Sequence, residues 1–359
     1  MNPVAFKVMN VVIPPVGGLL CRPAGHGRIA QIESRNKIRT IEGVEFAAKI
    51  VGGGQNMKEL VDRVQRSDSH RALWLAEGLG LHHGRSALAR GENVRNILTE
   101  GDGREILPSM LLMVHAGMAM AFARHHLDRL GPAPAPGEVR ETTQRIVNVF
   151  EANAISGYAG IGYEAWGMAT RFFYARQKLF PSVVDALQAI DPAHVPHFWH
   201  GAGRASYFVE FMPRWKEPWP AFKLVRQDAR DQVSRLNLIA GVASAFVLVN
   251  MRTPEIMEAI LRERIANFPP EDAAAFAQGI VCSMVLRQDT VPNETHTMQF
   301  VRHVPSTDVS GLWERIVAAP SRQALDIIYP YLRVQRRLDE VTCYRPLNET
   351  LSAAAANPS

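Results

Sequence analysis

Helix-forming residues dominate the pattern of apolar and polar positions along this chain, and alternating strand-like segments rich in β-branched residues are few. Proline and glycine interrupt the pattern at helix-length intervals. Residues 253–255 (TPE) and 269–272 (PPED) place proline and acids where a helix begins. The pattern therefore predicts an all-α protein.

Six segments share an unusual feature, in which Gly, Ala or Ser recurs at every second position. The segments begin at Glu77, Ala116, Glu164, His200, Ala240 and Gln278, at spacings of 39, 48, 36, 40 and 38 residues. A period near forty residues is the length of one helix pair in HEAT-like repeats. It predicts repeated helix pairs arranged as an α-solenoid or an α/α-bundle.

These small residues have a physical use, because two helix backbones approach closely only where the Cβ groups between them are small. Each interior glycine costs about 1 kcal/mol of helix propensity relative to alanine, so the repetition needs a reason. Tight packing of neighbouring helices is one interpretation. A ligand channel lined by the same stripes is the other, and the pattern leaves both open.

The composition narrows the class of protein. With 359 residues, of which 47% are hydrophobic and 21% charged, the chain is long enough for a large folded core and is not disordered. Its net charge is +5, but the basic residues are dispersed and no nucleic-acid-binding motif is present, so no nucleic-acid partner is expected. Three scattered cysteines predict neither a disulfide framework nor a metal cluster and favour the cytoplasm.

The predicted organisation has three parts. Residues 1–60 form an N-terminal arm and the first helices, residues 61–340 the repeated all-α domain, and residues 341–359 a C-terminal tail. The apolar N-terminus, interrupted by Pro14 and Pro15, favours a buried or surface-lying arm over a targeting segment. The apolar runs at 110–123 and 238–249 are shorter than a bilayer requires, so no transmembrane segment is expected.

The sequence carries no nucleophile elbow, P-loop or HExxH motif. The candidates for catalytic residues are therefore the polar residues at the first positions, or heads, of the small-residue segments. Glu77, Glu164, His200 and Gln278 occupy equivalent places, and Arg204 follows His200 by one helical turn. Buried charges must pair, bind water or hold a ligand. We predict acid/base chemistry at the four residues Glu164, Glu77, His200 and Arg204; structural salt bridges are the alternative.

Aromatic residues are densest at 198–219 and could form either a wall for a hydrophobic ligand or a plain core layer. The predicted substrate-binding residues are Trp166, Met168, Trp199, Tyr207, Phe208 and Gln278. No cofactor or metal is expected, because adjacent histidines diverge on a helix and do not chelate. A metal site built across helices from His82, His115 and His200 is a weaker hypothesis.

Three stretches resemble a bacterial family of uncharacterised proteins found in gene clusters for enediyne and other polyketide-type secondary metabolites. They are residues 162–168 (GYEAWGM), residues 201–208 (GAGRASYF), and 277–279 (AQG) followed by Arg287 and 294–296 (ETH). Ala165 stands where this family would have glycine. The resemblance spans about residues 60 to 310.

The resemblance implies an accessory or tailoring protein that acts beside a polyketide synthase in the cytoplasm. Its partner would be a long, apolar, unsaturated molecule, polyene-like or lipid-like, bound between the helices, and a polyketide-synthase-associated protein is a second possible partner. The family brings no established catalytic residues. A non-catalytic helical scaffold that docks a partner protein is the alternative function.

Overall fold

The computed structural model describes residues 3–52, 56–91, 94–175, 179–209 and 219–357, and these residues form helices joined by turns. No strand occurs within these ranges. The predicted all-α class is therefore confirmed. Residues 210–218 of the aromatic-rich segment lie outside the described residues.

The α-helices of the described ranges run as follows: α1 (Pro3–Cys21), α2 (Gly27–Glu45), α3 (Ala47–Ile50), α4 (Met57–Gln65), α5 (Ser69–Ala89), α6 (Leu111–Leu127), α7 (Pro136–Glu151), α8 (Ala159–Phe173), α9 (Leu179–Ile190), α10 (Val195–Val209), α11 (Ala221–Asp228), α12 (Gln232–Asn250), α13 (Pro254–Glu263), α14 (Pro270–Thr290), α15 (Thr295–Val301), α16 (Ser310–Trp313), α17 (Ala319–Gln323), α18 (Tyr329–Val334) and α19 (Leu347–Ala356). Short 3-10 helices lie at Arg22–Ala24, Gly101–Glu105, Pro108–Met110, Pro192–His194, Ile265–Asn267, Thr307–Val309 and Leu338–Thr342, and π-helical turns at Glu314–Ala318 and Ala324–Ile328.

Helix starts follow the local chemistry of the sequence. Helices α13 and α14 begin at Pro254 and Pro270, where proline supplies a preset φ and no helical amide is lost. Both predicted starts are confirmed. Asp231 caps α12 by accepting a hydrogen bond from the Ser234 amide at 2.7 Å.

The six small-residue segments lie on six helices that form the core of the molecule. In chain order α5, α6, α8, α10, α12 and α14 each pack against the next, and α14 returns to contact α5 and α6. Helix α2 packs against both α5 and α12. Nearly every residue of these segments is buried, so the six helices enclose a common interior.

Glycines in the segments bring neighbouring backbones into direct contact. A Cβ at Gly117 would lie 1.7 Å from the carbonyl oxygen of Glu77, and one at Gly201 would lie 1.7 Å from that of Glu164. Only glycine fits at such distances. Gly241 against His200 and Gly279 against Ala240 repeat the arrangement. The predicted role of the small residues in close helix packing is confirmed.

The finer predictions of organisation remain predictions. Only 3-10 helices separate α5 from α6, whereas an α-helix follows each of α6, α8, α10 and α12, so a uniform helix-pair repeat is not established. Within the predicted tail, Val341 and Thr342 are buried and contact Gln278 and His197. The structure shows this segment packed on the helices and does not define a domain boundary at residue 340.

Candidate functional site

Four charged or titratable side chains meet in the interior of the six-helix core. Glu77 comes from the middle of α5, Glu164 from α8, and His200 and Arg204 from successive turns of α10. None of the four is more than 1% exposed. We call these residues the central cluster. They are the four residues that the sequence predicted for acid/base chemistry.

Arg204 connects the two glutamates. One terminal nitrogen, Nη2, donates to the Glu77 carboxylate, and the other, Nη1, lies 3.3 Å from Oε2 of Glu164. The remaining nitrogen, Nε, donates to the sulfur of Met168 at 3.0 Å. The guanidinium therefore lies between the two carboxylates, hydrogen-bonded to Glu77 and in an ion-pair contact with Glu164.

His200 lies on the other side of Glu164. Its Nδ1 is 3.5 Å from Oε1 of Glu164, which is an electrostatic contact rather than a well-formed hydrogen bond. A small movement of either side chain would bring the imidazole within proton-transfer distance of the carboxylate.

The charges of the central cluster do not balance when every group takes its ordinary form. Two carboxylates face one guanidinium, and a buried, unpaired carboxylate is costly. Burial raises the pKa of Glu77, and repulsion by Glu164 raises it further, while Arg204 opposes both only in part. Burial lowers the pKa of Arg204, but the two carboxylates outweigh burial and raise it overall. Of the two carboxyls, Glu77 is the one whose pKa is raised, and it lies beside a permanently charged Arg204.

The central cluster also has unused hydrogen-bonding capacity. Among the described residues, Oε2 of Glu77, both carboxylate oxygens of Glu164 and both ring nitrogens of His200 have no hydrogen-bond partner of good geometry. Buried polar atoms in folded proteins are nearly always bonded. This concentration of free acceptors in three side chains distinguishes the cluster from an ordinary structural salt bridge.

Cys282 is a neighbour that the sequence did not point to. Its thiol accepts a weak hydrogen bond from Ser244 at 3.6 Å and is electrostatically coupled to Glu164 and Arg204. Burial raises the pKa of Cys282 to about 12, so the group is a neutral thiol. The available signal was its place one turn after Gln278 in the sixth small-residue segment.

The predicted substrate-binding residues separate in the structure. Met168 is the one among them that contacts the central cluster, through the Nε atom of Arg204. Trp166 packs edge-on against Phe150 and Phe198, with ring centroids 5.9 and 5.4 Å away. Trp199 packs against Phe180 at 5.3 Å. Both tryptophans belong to an aromatic layer between the six core helices and two outer helices, α7 with Phe150 and α9 with Phe180.

The other three predicted binding residues also have structural partners. Tyr207 accepts a hydrogen bond from Asn250 at 2.7 Å and stacks edge-on with Phe208. Lys37 of α2 lies over the Tyr207 ring, 3.9 Å from its centroid. The amide of Gln278 donates to the carbonyl of Val341 at 3.1 Å. The contacts shown for these three residues are with partners outside the central cluster.

Metal binding finds no support in the arrangement of the described side chains. No three His, Cys, Asp or Glu residues within the described ranges are placed to hold one metal ion. His115 contacts the Leu111 carbonyl at 2.7 Å through Nδ1 and accepts the Ile155 amide at 3.1 Å through Nε2. Both of its nitrogens are occupied, which argues against the site at His82, His115 and His200.

One described helix, α12, is long and apolar enough to span a bilayer, with a mean hydropathy of 1.5 over its most apolar window. Within the fold, 83% of that window is buried, as is common for the core helix of a folded domain. The expectation that no segment crosses a membrane stays a prediction.

Comparison with known proteins gives this chain no relatives: no protein-family model, curated protein or solved structure matches it.

Proposed function

We propose that the chain is an accessory or tailoring protein of bacterial secondary metabolism. It binds a long, apolar, unsaturated molecule between its inner helices and moves protons on that molecule with the central cluster. One observation carries the proposal: two carboxylates share one guanidinium in a dry interior, and the pKa of one of them, Glu77, is raised by burial and by the other carboxylate.

The chemistry that such an arrangement supports is proton transfer. Glu164 would accept a proton from an acidic C–H beside a conjugated system, and Glu77, the carboxyl with the raised pKa, would return one at another carbon. Arg204 would stabilise negative charge that develops between these two steps. The net reaction is an isomerisation or cyclisation, which consumes no oxidant, reductant or second substrate.

The apolar surroundings favour an apolar substrate. Aliphatic and aromatic side chains and small residues surround the central cluster on all six core helices. The side chains of the cluster are closed to solvent in this structure, so a ligand enters only when neighbouring helices separate. A second support is the polyketide-cluster resemblance, whose motifs lie on three of the six core helices, α8, α10 and α14, and at the start of α15.

A mass-spectrometric experiment tests the substrate class. The protein is purified from the bacterium that carries the gene and is sprayed under native conditions, and an apolar, unsaturated molecule is expected to remain bound. Arg204→Met, which removes the link between the two carboxylates, is expected to retain less of it. Protein that never carries a small molecule would count against ligand binding.

A genetic experiment tests the chemistry. Metabolite profiles are compared for a deletion strain complemented with wild type, Glu164→Gln or Glu141→Gln. Glu141 is an exposed glutamate on α7 and serves as the matched control. Glu164→Gln is expected to abolish the product, while Glu141→Gln restores it. A wild-type profile from folded Glu164→Gln would favour the non-catalytic scaffold, with a polyketide-synthase-associated protein as its partner in the cytoplasm.

A further inference from the structure

Helix α1 has two apolar faces, and the fold uses one of them. Phe6 and Cys21 are buried at its two ends, and Phe6 packs edge-on against Phe46 with ring centroids 5.3 Å apart. Gly18 lies close enough to α2 that a Cβ there would be 3.1 Å from the Gly27 carbonyl oxygen. The helix is therefore anchored to the protein along its length.

The opposite face of α1 is apolar and open to solvent. The described ranges contain eleven exposed large hydrophobic side chains, and six of these lie on α1: Val8, Val11, Val12, Val16, Leu19 and Leu20. Val11 is 72% exposed and Leu19 66% exposed. At about 100° per residue these positions fall on one side of the helix. Such a continuous exposed patch is a feature of binding surfaces.

Basic residues outnumber acids in the first two helices. Residues 1–45, which end with α2, contain six basic residues and three acids, a net charge of +3. Glu33 forms a buried pair with Lys37 at 3.1 Å, and Glu45 pairs with Arg85 and Arg124. The five cations that remain are Lys7, Arg22, Arg28, Arg35 and Arg39, and none of them pairs with a carboxylate of the described residues. Glu263 is engaged by His26 of the α1–α2 turn at 3.1 Å.

We propose that the exposed face of α1 lies in the surface of an anionic phospholipid bilayer, with the five cations of α1, α2 and the turn between them against the headgroups. An apolar stripe flanked by Lys and Arg matches such a surface in both hydrophobicity and charge. A second copy would bring five like charges against five others. A nucleic acid would offer nothing apolar for the six aliphatic side chains.

Vesicle flotation tests the proposal with the full chain. Wild type is expected to float with vesicles of equal parts phosphatidylcholine and phosphatidylglycerol, and to bind pure phosphatidylcholine roughly tenfold less. Val11→Asn/Leu19→Asn should weaken binding to the anionic vesicles roughly tenfold, because it interrupts the apolar face. Arg28→Glu/Arg39→Glu should do the same through charge and should abolish the preference for anionic lipid.

Control variants outside α1 distinguish binding through this face from nonspecific adsorption to vesicles. Val304→Asn removes an aliphatic side chain that is 86% exposed, and Arg302→Glu reverses an exposed charge beside it. Both are expected to float like wild type. Glu164→Gln should also float like wild type, so that failure of the proposed chemistry and failure of the lipid surface are distinguishable.

Four results would overturn the proposal. The first is wild type that stays unbound to anionic vesicles. The second is an α1 variant that binds as well as wild type. The third is a bound protein that neither high salt nor alkaline carbonate releases, which would show a spanning segment. The fourth is a dimer in light scattering that Val11→Asn/Leu19→Asn dissociates, which would assign the face to a second copy.

Discussion

Two buried Arg–Glu sites in this fold make opposite use of the same residue types. Arg287 and Glu294 pair at 3.1 Å where α14 meets the start of α5, and both side chains are 1% exposed. Glu294 also accepts the Thr297 amide at 2.8 Å and the Ser69 hydroxyl at 3.0 Å. Arg287 donates to the His70 carbonyl at 3.0 Å. We call this pair the closing site.

The central cluster differs from the closing site in its ratio of cations to carboxylates and in how many of its polar atoms are hydrogen-bonded. At the closing site one cation meets one carboxylate, both oxygens of Glu294 are bonded, and Nε of Arg287 is the one side-chain atom of the pair without a hydrogen-bond partner among the described residues. In the central cluster one cation meets two carboxylates and an imidazole, with acceptors left over. Burial opposes ionisation of Glu294, but the Thr297 amide and Arg287 outweigh it and lower its pKa to about 2, whereas the pKa of Glu77 is raised. Burial of a charge is therefore not the functional signal; an unbalanced count of charges and hydrogen bonds is.

The largest expected effect is at the closing site. Glu294→Gln keeps the shape of the side chain but leaves the Arg287 guanidinium buried without its carboxylate. We expect the free energy of unfolding to fall by about 3–5 kcal/mol in urea denaturation. The control is Glu141→Gln, on an exposed i,i+4 pair, with a change below about 0.5 kcal/mol. A loss at Glu294 no larger than that of the control would remove the distinction between the two sites.

A second test concerns the helix contact that places Glu164. Gly201→Ala would put a Cβ 1.7 Å from the Glu164 carbonyl oxygen, so α8 and α10 must move apart. We expect a loss of about 1–3 kcal/mol in the free energy of unfolding, together with loss of any activity that depends on Glu164 and Arg204. Gly137, whose Cβ would meet nothing within 4 Å, is the control. Gly137→Ala should be neutral or stabilising by up to about 1 kcal/mol, and equal effects at both glycines would contradict the packing argument.

The two sites should respond to pH in opposite directions. The ordinary carboxyl pKa is 4.5, and that of Glu294 falls to about 2 on folding, so its contribution is complete above pH 4.5 and is lost as the pH falls toward 2. The pKa of Glu77 rises on folding, so its contribution is complete below pH 4.5 and is lost as the pH rises through the raised value. Urea denaturation across pH measures both contributions.

The stability gap between wild type and Glu294→Gln should narrow on acidification below pH 4.5. Wild type should lose stability relative to Glu77→Gln as the pH rises above 4.5. Parallel curves for wild type and both variants would show that neither carboxyl has the assigned shift.

The smallest expected effect is that of Glu77→Gln below pH 4.5, the ordinary carboxyl pKa, above which that of Glu77 is raised. A protonated glutamate and a glutamine are both neutral and similar in shape, and each has an oxygen that accepts from Arg204. We expect the free energy of unfolding to change by less than about 1 kcal/mol. Urea denaturation beside Glu294→Gln checks this. A loss as large as that at Glu294 would mean that Glu77 is ionised in the folded protein.

A local rule in the sequence predicted both the core helices and the cluster residues. Glycine or alanine at alternate positions marked the turns where neighbouring backbones touch, and the glycines after the heads of four segments contact the head carbonyl of the preceding segment. The exception is Ala165, where the sequence departs from glycine. Glu77, Glu164 and His200 occupy the first positions of their segments under the same rule. The sequence could therefore predict them as members of one site.

The spacing rule did not predict the contacts of residues whose role depends on which way the side chain points from its helix. Gln278 heads a segment but bonds to Val341, and Trp166 and Trp199 follow segment heads but join the aromatic layer. Cys282, which adjoins the cluster, and its partner Ser244 each lie one turn after the first residue of a segment, a position to which the sequence assigned no chemistry. The sequence also could not predict which side chains of α1 are exposed, because both faces of that helix are apolar.

Composition and local pattern were enough to determine the all-α class, helix starts at Pro254 and Pro270, and the turns where helices touch, since propensity, capping and Cβ size act within a few residues. Tertiary structure alone decided that the guanidinium of Arg204 would pair with both Glu77 and Glu164, which lie 127 and 40 residues before it. It also decided that Arg287 would pair with a single carboxylate, that of Glu294. Protonation, and with it the chemistry, depends on which charges share a low-dielectric interior, and that is fixed only when distant helices pack.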